Sequence, residues 1–311
     1  MADQRSARPV GFHEGELAVQ RHAGVAVQAA RLAGMLAPGE LRGGFARFLA
    51  DRTFAALTAR DVHGRLWVSP LAGPPGFLEA TGPTTLAVHA VPHAGDPLRE
   101  LPTGQPIGLV VVEFATRRRV RVNGSLSAAA PGSLSVEVEQ AYGNCPQYIQ
   151  QRVLHPVQDP DIGWVRRGAA LAGEDRDLIS RADTFFIGTT HPDRGADASH
   201  RGGAPGFVRL DGERLWWPDY SGNNMFNTLG NLAIDPTAAL LVPDFATGAT
   251  VQLSGTAALD WTAPGSPGDD DATGRLVRFT TEQVVSAHLL ALQTDTVAPY
   301  DLNPDLTDQN H

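Results

Sequence analysis

Apolar residues along the chain fall in short runs rich in β-branched and aromatic side chains. TFAALTAR (53–60), IGLVVVEFA (107–115), TFFIGTTH (184–191) and AALLVPDFA (238–246) are the plainest, each bounded by Gly, Pro, Asp or Asn. Runs of this kind predict strands. LAVHAV (86–91), VRVNGSLSA (120–128), SLSVEVEQA (133–141), LWWPDY (215–220) and VQLSGTAAL (251–259) extend the set, and two further strands are expected to begin at the Gly-Phe pairs 76–77 and 206–207. Helical patterning is sparser. It predicts a helix over 14–37 stopped by Pro38-Gly39, helices over 41–52 and 173–183, and a short one in NCPQYIQQRVL (144–154). Regular short strands with few helices argue for small antiparallel barrels. The expected class is mainly β with flanking helices.

The pattern repeats. EFATRRRVRVNG (113–124) and DFATGATVQLSG (244–255) share five of twelve residues at a separation of 131. Thr53-Phe54 matches Thr184-Phe185 at 131, and Pro75-Gly76-Phe77 matches Pro205-Gly206-Phe207 at 130. Pro106 matches Pro236 at 130. A period this long means two copies of a domain-sized unit. The expected organisation is a helical segment (1–40), a first barrel repeat with a degenerate site (41–172), a second, cofactor-binding repeat (173–294) and a polar tail (295–311). The two barrels would pack as a pseudo-dimer within one chain. The acidic, Pro/Gly-rich stretch TAPGSPGDDDAT (262–273) reads as a mobile loop.

Composition narrows the function. The chain has 311 residues and a formal net charge of −9, which disfavours a nucleic-acid partner. The local exception is Arg117-Arg118-Arg119 with Arg121, read either as a solvated strand end or as an anion contact. The one cysteine, Cys145, excludes an intrachain disulfide and a Cys-based metal site, and no metal is expected. No apolar run reaches the length of a membrane span, and MADQRSARPVGFHEGE lacks an apolar signal core, so the cytoplasm is the expected location.

The duplication acts as an internal control, because residues kept in only one copy are candidates for function. SHRGGAPGF (199–207) aligns with SPLAGPPGF (69–77): Ser199 matches Ser69, but Arg201 stands against Leu71 and His200 against Pro70. YSGNNMFNTLGN (220–231) replaces VPHAGDPLRELPTG (91–104). The second copy thus carries a Ser/Arg pair on one expected loop and a Ser-Gly-Asn-Asn turn on another. Such a cluster suits a phosphate. Arg offers bidentate, charge-assisted bonds, Ser199 and Ser221 offer hydroxyls, and Gly222 lets backbone N–H groups approach. A helix over 224–233 would add its N-terminal charge. The other reading makes the turn a helix cap and Arg201 a surface ion pair with a residue such as Asp197. His191 and His200 read either as general acids or as hydrogen-bonding loop histidines, and Cys145 as a thiol near the cofactor or a buried small hydrophobe. No catalytic residue is assigned.

DASHRGGAPGFVRLDGERLWWPDYSGNNMFNTLGNLAIDPTAALLVPDF (197–245) resembles the pyridoxamine 5′-phosphate oxidase-like superfamily of flavin-binding split barrels. The resemblance implies a six-stranded split barrel that holds FMN, or else FAD or a deazaflavin, at a two-barrel interface. Ser199 and Arg201 would hold the phosphate, with Tyr220, Ser221, Gly222, Asn223, Asn224 and Asn227 completing the site. Relatives place Lys or Arg in or just after that turn, where this chain has Asn224 and Asn227. Relatives that oxidise pyridoxine phosphate carry Arg-x-His near the C-terminus, and PYDLNPDLTDQNH has none. The expected function is an FMN-dependent oxidoreductase acting on a small organic molecule, in a chain that is a monomer with a pseudo-dimer or a homodimer. The alternatives are a flavin, deazaflavin or haem binding module without turnover, and a structural partner with two degenerate sites.

Overall fold

The computed structural model describes residues 11–37, 39–157 and 164–307. The expected stop at Pro38, the first ten residues and the last four of the tail lie outside them. The first sheet holds β1 (Phe54–Arg60), β2 (Leu66–Ala72), β3 (Leu78–Ala80), β4 (Thr85–Val88), β5 (Pro106–Glu113), β6 (Arg118–Ala130) and β7 (Ser133–Asn144). After β8 (His155–Pro156) and β9 (Val165–Gly168), the second sheet holds β10 (Thr184–His191), β11 (Gly195–Gly202), β12 (Arg209–Asp211), β13 (Arg214–Pro218), β14 (Thr237–Pro243), β15 (Ala249–Trp261) and β16 (Arg275–His288). β17 (Leu292–Gln293) pairs with β8. The strand orders are β2-β1-β5-β6-β7-β4-β3 and β11-β10-β14-β15-β16-β13-β12, the same path twice, with β9 added to β16. The protein is mainly β, built as two tandem split barrels, each with seven strands on its main path where the resemblance implied six.

Pairing fixes which residues correspond. Leu57 opposes Leu109 and Ser69 as Ile187 opposes Leu240 and Ser199, so β1 and β2 map onto β10 and β11 at a separation of 130. Ser69 and Ser199 are therefore true counterparts, as are Leu71 and Arg201. The β6 and β15 strands correspond at 131, with a register shift in each, at Asn123/Gly124 and Ser254/Gly255. The Thr53-Phe54 match is out by one: Phe54 faces the other repeat, whereas Phe185 fills its own barrel.

Alternation along the strands makes two barrel cores and a third, shared one. On β1, Ala55, Leu57 and Ala59 fill the first barrel while Phe54 and Ala56 face the second repeat. On β10, Phe185 and Ile187 fill the second barrel while Phe186 faces the first. Phe114, Phe245, Val110 and Leu241 join that shared layer. Gly188 lies in this interface. A Cβ there would stand 2.6 Å from Thr58 Cγ2, and Thr58 is its own counterpart in the first repeat. Like positions meet at this point, so the pseudo-twofold axis passes beside them.

Other expectations change. Ser199 and Arg201 lie on strand β11, not on a loop, because the bare backbone begins only at Gly202. The 14–37 segment breaks into α1 (Glu14–His22), α2 (Ala26–Ala30) and a 3₁₀ turn (Ala33–Leu36), with Gly24 left-handed at φ +71° between the first two. Helices α3 (Gly44–Ala50) and α4 (Gly173–Arg181) precede β1 and β10 as expected. The 144–154 segment is not helical; Pro146 removes a donor and Tyr148 sits at φ +62°. The 224–233 helix shortens to α5 (Asn227–Leu232). The 262–273 loop is anchored: Asp270 bonds Arg209 at 2.6 and 3.0 Å, and Asp269 is buried. Among the described residues no helix is long and apolar enough to cross a membrane.

Candidate functional site

Three guanidiniums meet between the repeats. β11 of the second repeat puts Asp197, Ser199 and Arg201 on one face, two residues apart. β6 of the first repeat sends Arg119, Arg121 and Asn123 to meet it. Arg121 Nη1 donates to Asp197 Oδ2 (2.7 Å) and Nη2 to Ser199 Oγ (2.7 Å); Asn123 Nδ2 donates to Asp197 Oδ1 (3.1 Å). Arg119 donates to His200 Nδ1 (2.9 Å) and has no carboxylate partner among the described residues, and its Nε is buried and unbonded. Arg201 lies 3.6 Å from Asp219, which Arg275 holds more closely at 2.9 Å. Arg201's partner is therefore Asp219 rather than Asp197, and the pairing is loose. Four guanidiniums (119, 121, 201 and 275) face two carboxylates (197 and 219). Burial lowers the pKa of Arg119 to about 10 and lowers that of Arg201 as well. A bound anion is what would restore both.

The cavity that Arg119, Arg121, Ser199 and Arg201 border measures about 70 Å³. Ser199, Arg201, Tyr220, Ser221, Gly222 and Asn223 all line it, so the strand pair and the turn that the sequence singled out share one space. Asn224 and Asn227 do not line it. Asn224 adopts φ +61° in the turn, and the Asn227 amide donates to Glu16 of α1 instead. The turn is braced from the acidic loop: the Ser221 N–H donates to Asp271 (2.6 Å) and the Tyr220 hydroxyl to Asp270 (3.2 Å).

The histidines resolve against acid catalysis. His200 packs its ring on Phe114 and Phe186, and burial, then Arg119, Arg152 and Arg201, hold its pKa well below the ordinary range. His191 lies outside this cavity, with its ring 4.3 Å from that of His13. His13, Glu14 and His191 also gather ligand-type atoms within 4.8 Å of one another. Both rings accept a backbone N–H at Nδ1, from Gly15 and Asp193. That leaves the proton on Nε2, where a metal would need a lone pair. Cys145 borders the cavity, 3.7 Å from Arg119 Nη2.

The equivalent place in the first repeat is already filled. Gln252 stands where Arg121 stands and donates to Ser69 Oγ (3.1 Å), as Arg121 does to Ser199. The fully buried Asp96 carboxylate accepts from Ser69 (2.5 Å), Gln252 (3.0 Å) and the Leu98 N–H (2.7 Å). The chain supplies its own anion there.

Arg119 and Arg121 were visible in the sequence only as a basic run with two readings. The signal that could have found them was the repeat comparison run in the other direction. They stand against Thr250 and Gln252 on a strand whose site lies across the interface, so the charge missing from the 221–227 turn arrives from the other copy.

A two-repeat split barrel with a cationic pocket at its internal interface is the class this geometry defines. Residues 171–266 match the family model described as pyridoxamine 5′-phosphate oxidase. Similar solved structures include a Clostridium acetobutylicum protein related to general stress protein 26 of B. subtilis, at 20% identity over 39% of this chain and 90% of that one, TM-score 0.28. An FAD-binding protein from Mesorhizobium loti is 13% identical over 40% of this chain and 99% of that one, TM-score 0.29. HutZ, the heme storage protein from Vibrio cholerae, is 13% identical over 37% and 93%, TM-score 0.29. No curated protein sequence matches the chain.

Proposed function

We propose that the pocket between the repeats binds the phosphate of a flavin, FMN in the first instance, and that the protein is a flavin-dependent oxidoreductase acting on a small organic molecule. The observation that carries this reading is the half-buried surplus of guanidinium charge at Arg119 and Arg201, converging with Ser199 on one cavity. An anion fits this donor set, which leaves Arg119 Nε buried without a partner. At about 70 Å³ the cavity takes the anionic group and not a tricyclic ring, so the body of the ligand extends beyond it. When bound, the flavin would carry the electrons, and the chain would orient it and shield it from water.

A second reading, a flavin, deazaflavin or haem holder without turnover, is favoured by one observation. The histidine bordering the cavity, His200, is turned into the apolar interface and kept neutral.

The test is the visible spectrum of the purified protein, followed by titration with FMN and anaerobic addition of NADH or NADPH. The flavin reading expects bound flavin, or its uptake, and a loss of affinity of roughly tenfold to a hundredfold in Arg201→Leu and in Arg119→Gln, the span of one charge-assisted hydrogen bond. Protein that is colourless and takes up no FMN ends it. Bound flavin that no donor bleaches selects the holder.

A further inference from the structure

We infer that a second cavity, beside the first, is a binding site for a small planar apolar molecule carrying one negative charge. It measures about 670 Å³ and lies where α3 faces the start of β6 and the end of β7. Phe45, Phe48, Val120 and Pro146 give it an apolar lining, and Arg119 and Asn144 border both cavities, so the two adjoin. As a binding site it does not depend on the flavin reading; as the substrate side of a redox centre it does.

Two observations make this a built site. The first is charge. Arg118 lines the cavity, is exposed, stacks its guanidinium 5.2 Å from the Phe48 ring centre and pairs with no carboxylate among the described residues. Arg52, on the same ring at 4.7 Å, is already paired with Glu113. In a chain with a net charge of −9, a free guanidinium over an aromatic floor selects for an anion with an apolar body.

The second is space. Gly143 lies within strand β7, where glycine weakens a sheet. Its φ is not positive, and an added Cβ would meet no atom within 4 Å, so neither backbone nor packing demands glycine there. What the missing side chain preserves is the cavity. The second repeat supplies the comparison. The counterpart of Gly143 is Ser286, whose Oγ donates to Asp175 (2.6 Å) and accepts from Arg166 (2.9 Å). There β9 pairs along Val284–Ala287 and closes the same strand end. One repeat fills this place with its own chain, and in the other none of the described residues does.

The probe is 2-naphthoate, with naphthalene-2-carboxamide as its neutral counterpart, titrated by calorimetry into the full chain. The carboxylate should bind and the amide should bind at least about tenfold more weakly, the scale of a charged hydrogen bond. Arg118→Gln should reduce that preference, with Arg119 still bordering the cavity, and Gly143→Leu should abolish binding of both probes while FMN uptake stays as in the parent. Gly143→Ala, a smaller plug, should weaken binding partway. Absence of naphthoate binding, equal affinity for acid and amide, or full binding in folded Gly143→Leu would each overturn the inference. Should Gly143→Leu fail to fold, Arg118→Gln and Gly143→Ala decide it. If FMN does not bind while naphthoate does, the flavin reading falls and this site stands.

Discussion

Arg121 and Gln252 occupy one position in two copies of the same barrel, and each donates to the counterpart serine. The arginine side accumulates cations and leaves room, whereas the glutamine side admits Asp96. Single residues also set the pH response. Burial raises the pKa of Glu16 to about 7, and burial, then His191, lowers that of His13 to about 4. A carboxylate whose folded pKa is raised loses folding stability as pH climbs from its unfolded value near 4.5 to about 7. A histidine whose folded pKa is lowered does the reverse, losing stability as pH falls from 6.5 to about 4. Between about pH 4.5 and 6.5 the two slopes oppose, so this pair should leave stability nearly flat. In Glu16→Gln the histidine slope stands alone, and the melting temperature should climb with pH across that window more steeply than in the parent. Parallel melting curves for the two proteins would show that the pair is not coupled to folding.

At the level of elements, the 262–273 insertion shows why composition misleads. Three acids among Pro and Gly read as a mobile loop, yet Asp270 is a fully buried partner of Arg209, and Asp271 holds the turn at Ser221. Opposite charges far apart in sequence cancel, and no local pattern reports it. Asp270→Ala leaves Arg209 buried and unpaired, so it should destabilise the fold by about 3–5 kcal/mol in chemical denaturation. Arg209→Met combined with Asp270→Leu should recover most of that loss; if the double variant is as unstable as the single, the ion pair is not the cause. Strand placement was legible at β-branched runs such as 53–60 and 184–191, whereas β2 and β11 were not legible. β16 was not, because RLVRFTTEQVVSAH mixes charged and apolar residues beyond the period-two pattern. The fold followed from the repeat, since two copies in one register restrict the topology. The site was half legible for the same reason: comparing copies finds what the second gained, Ser199 with Arg201, but the pocket is composite, and the charge of Arg119 and Arg121 enters from the first.

On the scale of the whole molecule, duplication without symmetry has a countable consequence. A dimer of identical split barrels would present two equivalent interface pockets. This chain presents one open pocket and one filled by Asp96, so it should bind one FMN per chain. Leu71→Arg alone should not add a second, because Ser69 is already bonded to Asp96 and Gln252 still stands in place of Arg121. Removing the carboxylate and restoring the three cations is the minimal repair: Leu71→Arg, Asp96→Ala, Thr250→Arg and Gln252→Arg together should raise the stoichiometry in calorimetric titration from one toward two, while Arg201→Leu in that background should weaken the original pocket alone, by the same roughly tenfold to hundredfold as in the parent. Burial raises the Asp96 pKa to about 6, so its ionisation costs the fold stability as pH climbs from about 3.8 to about 6, and Asp96→Ala trades this for three lost hydrogen bonds. Two FMN per chain in the parent would mean that Asp96 yields to the ligand; one per chain in the folded quadruple variant would mean that the first repeat lost more than its charges.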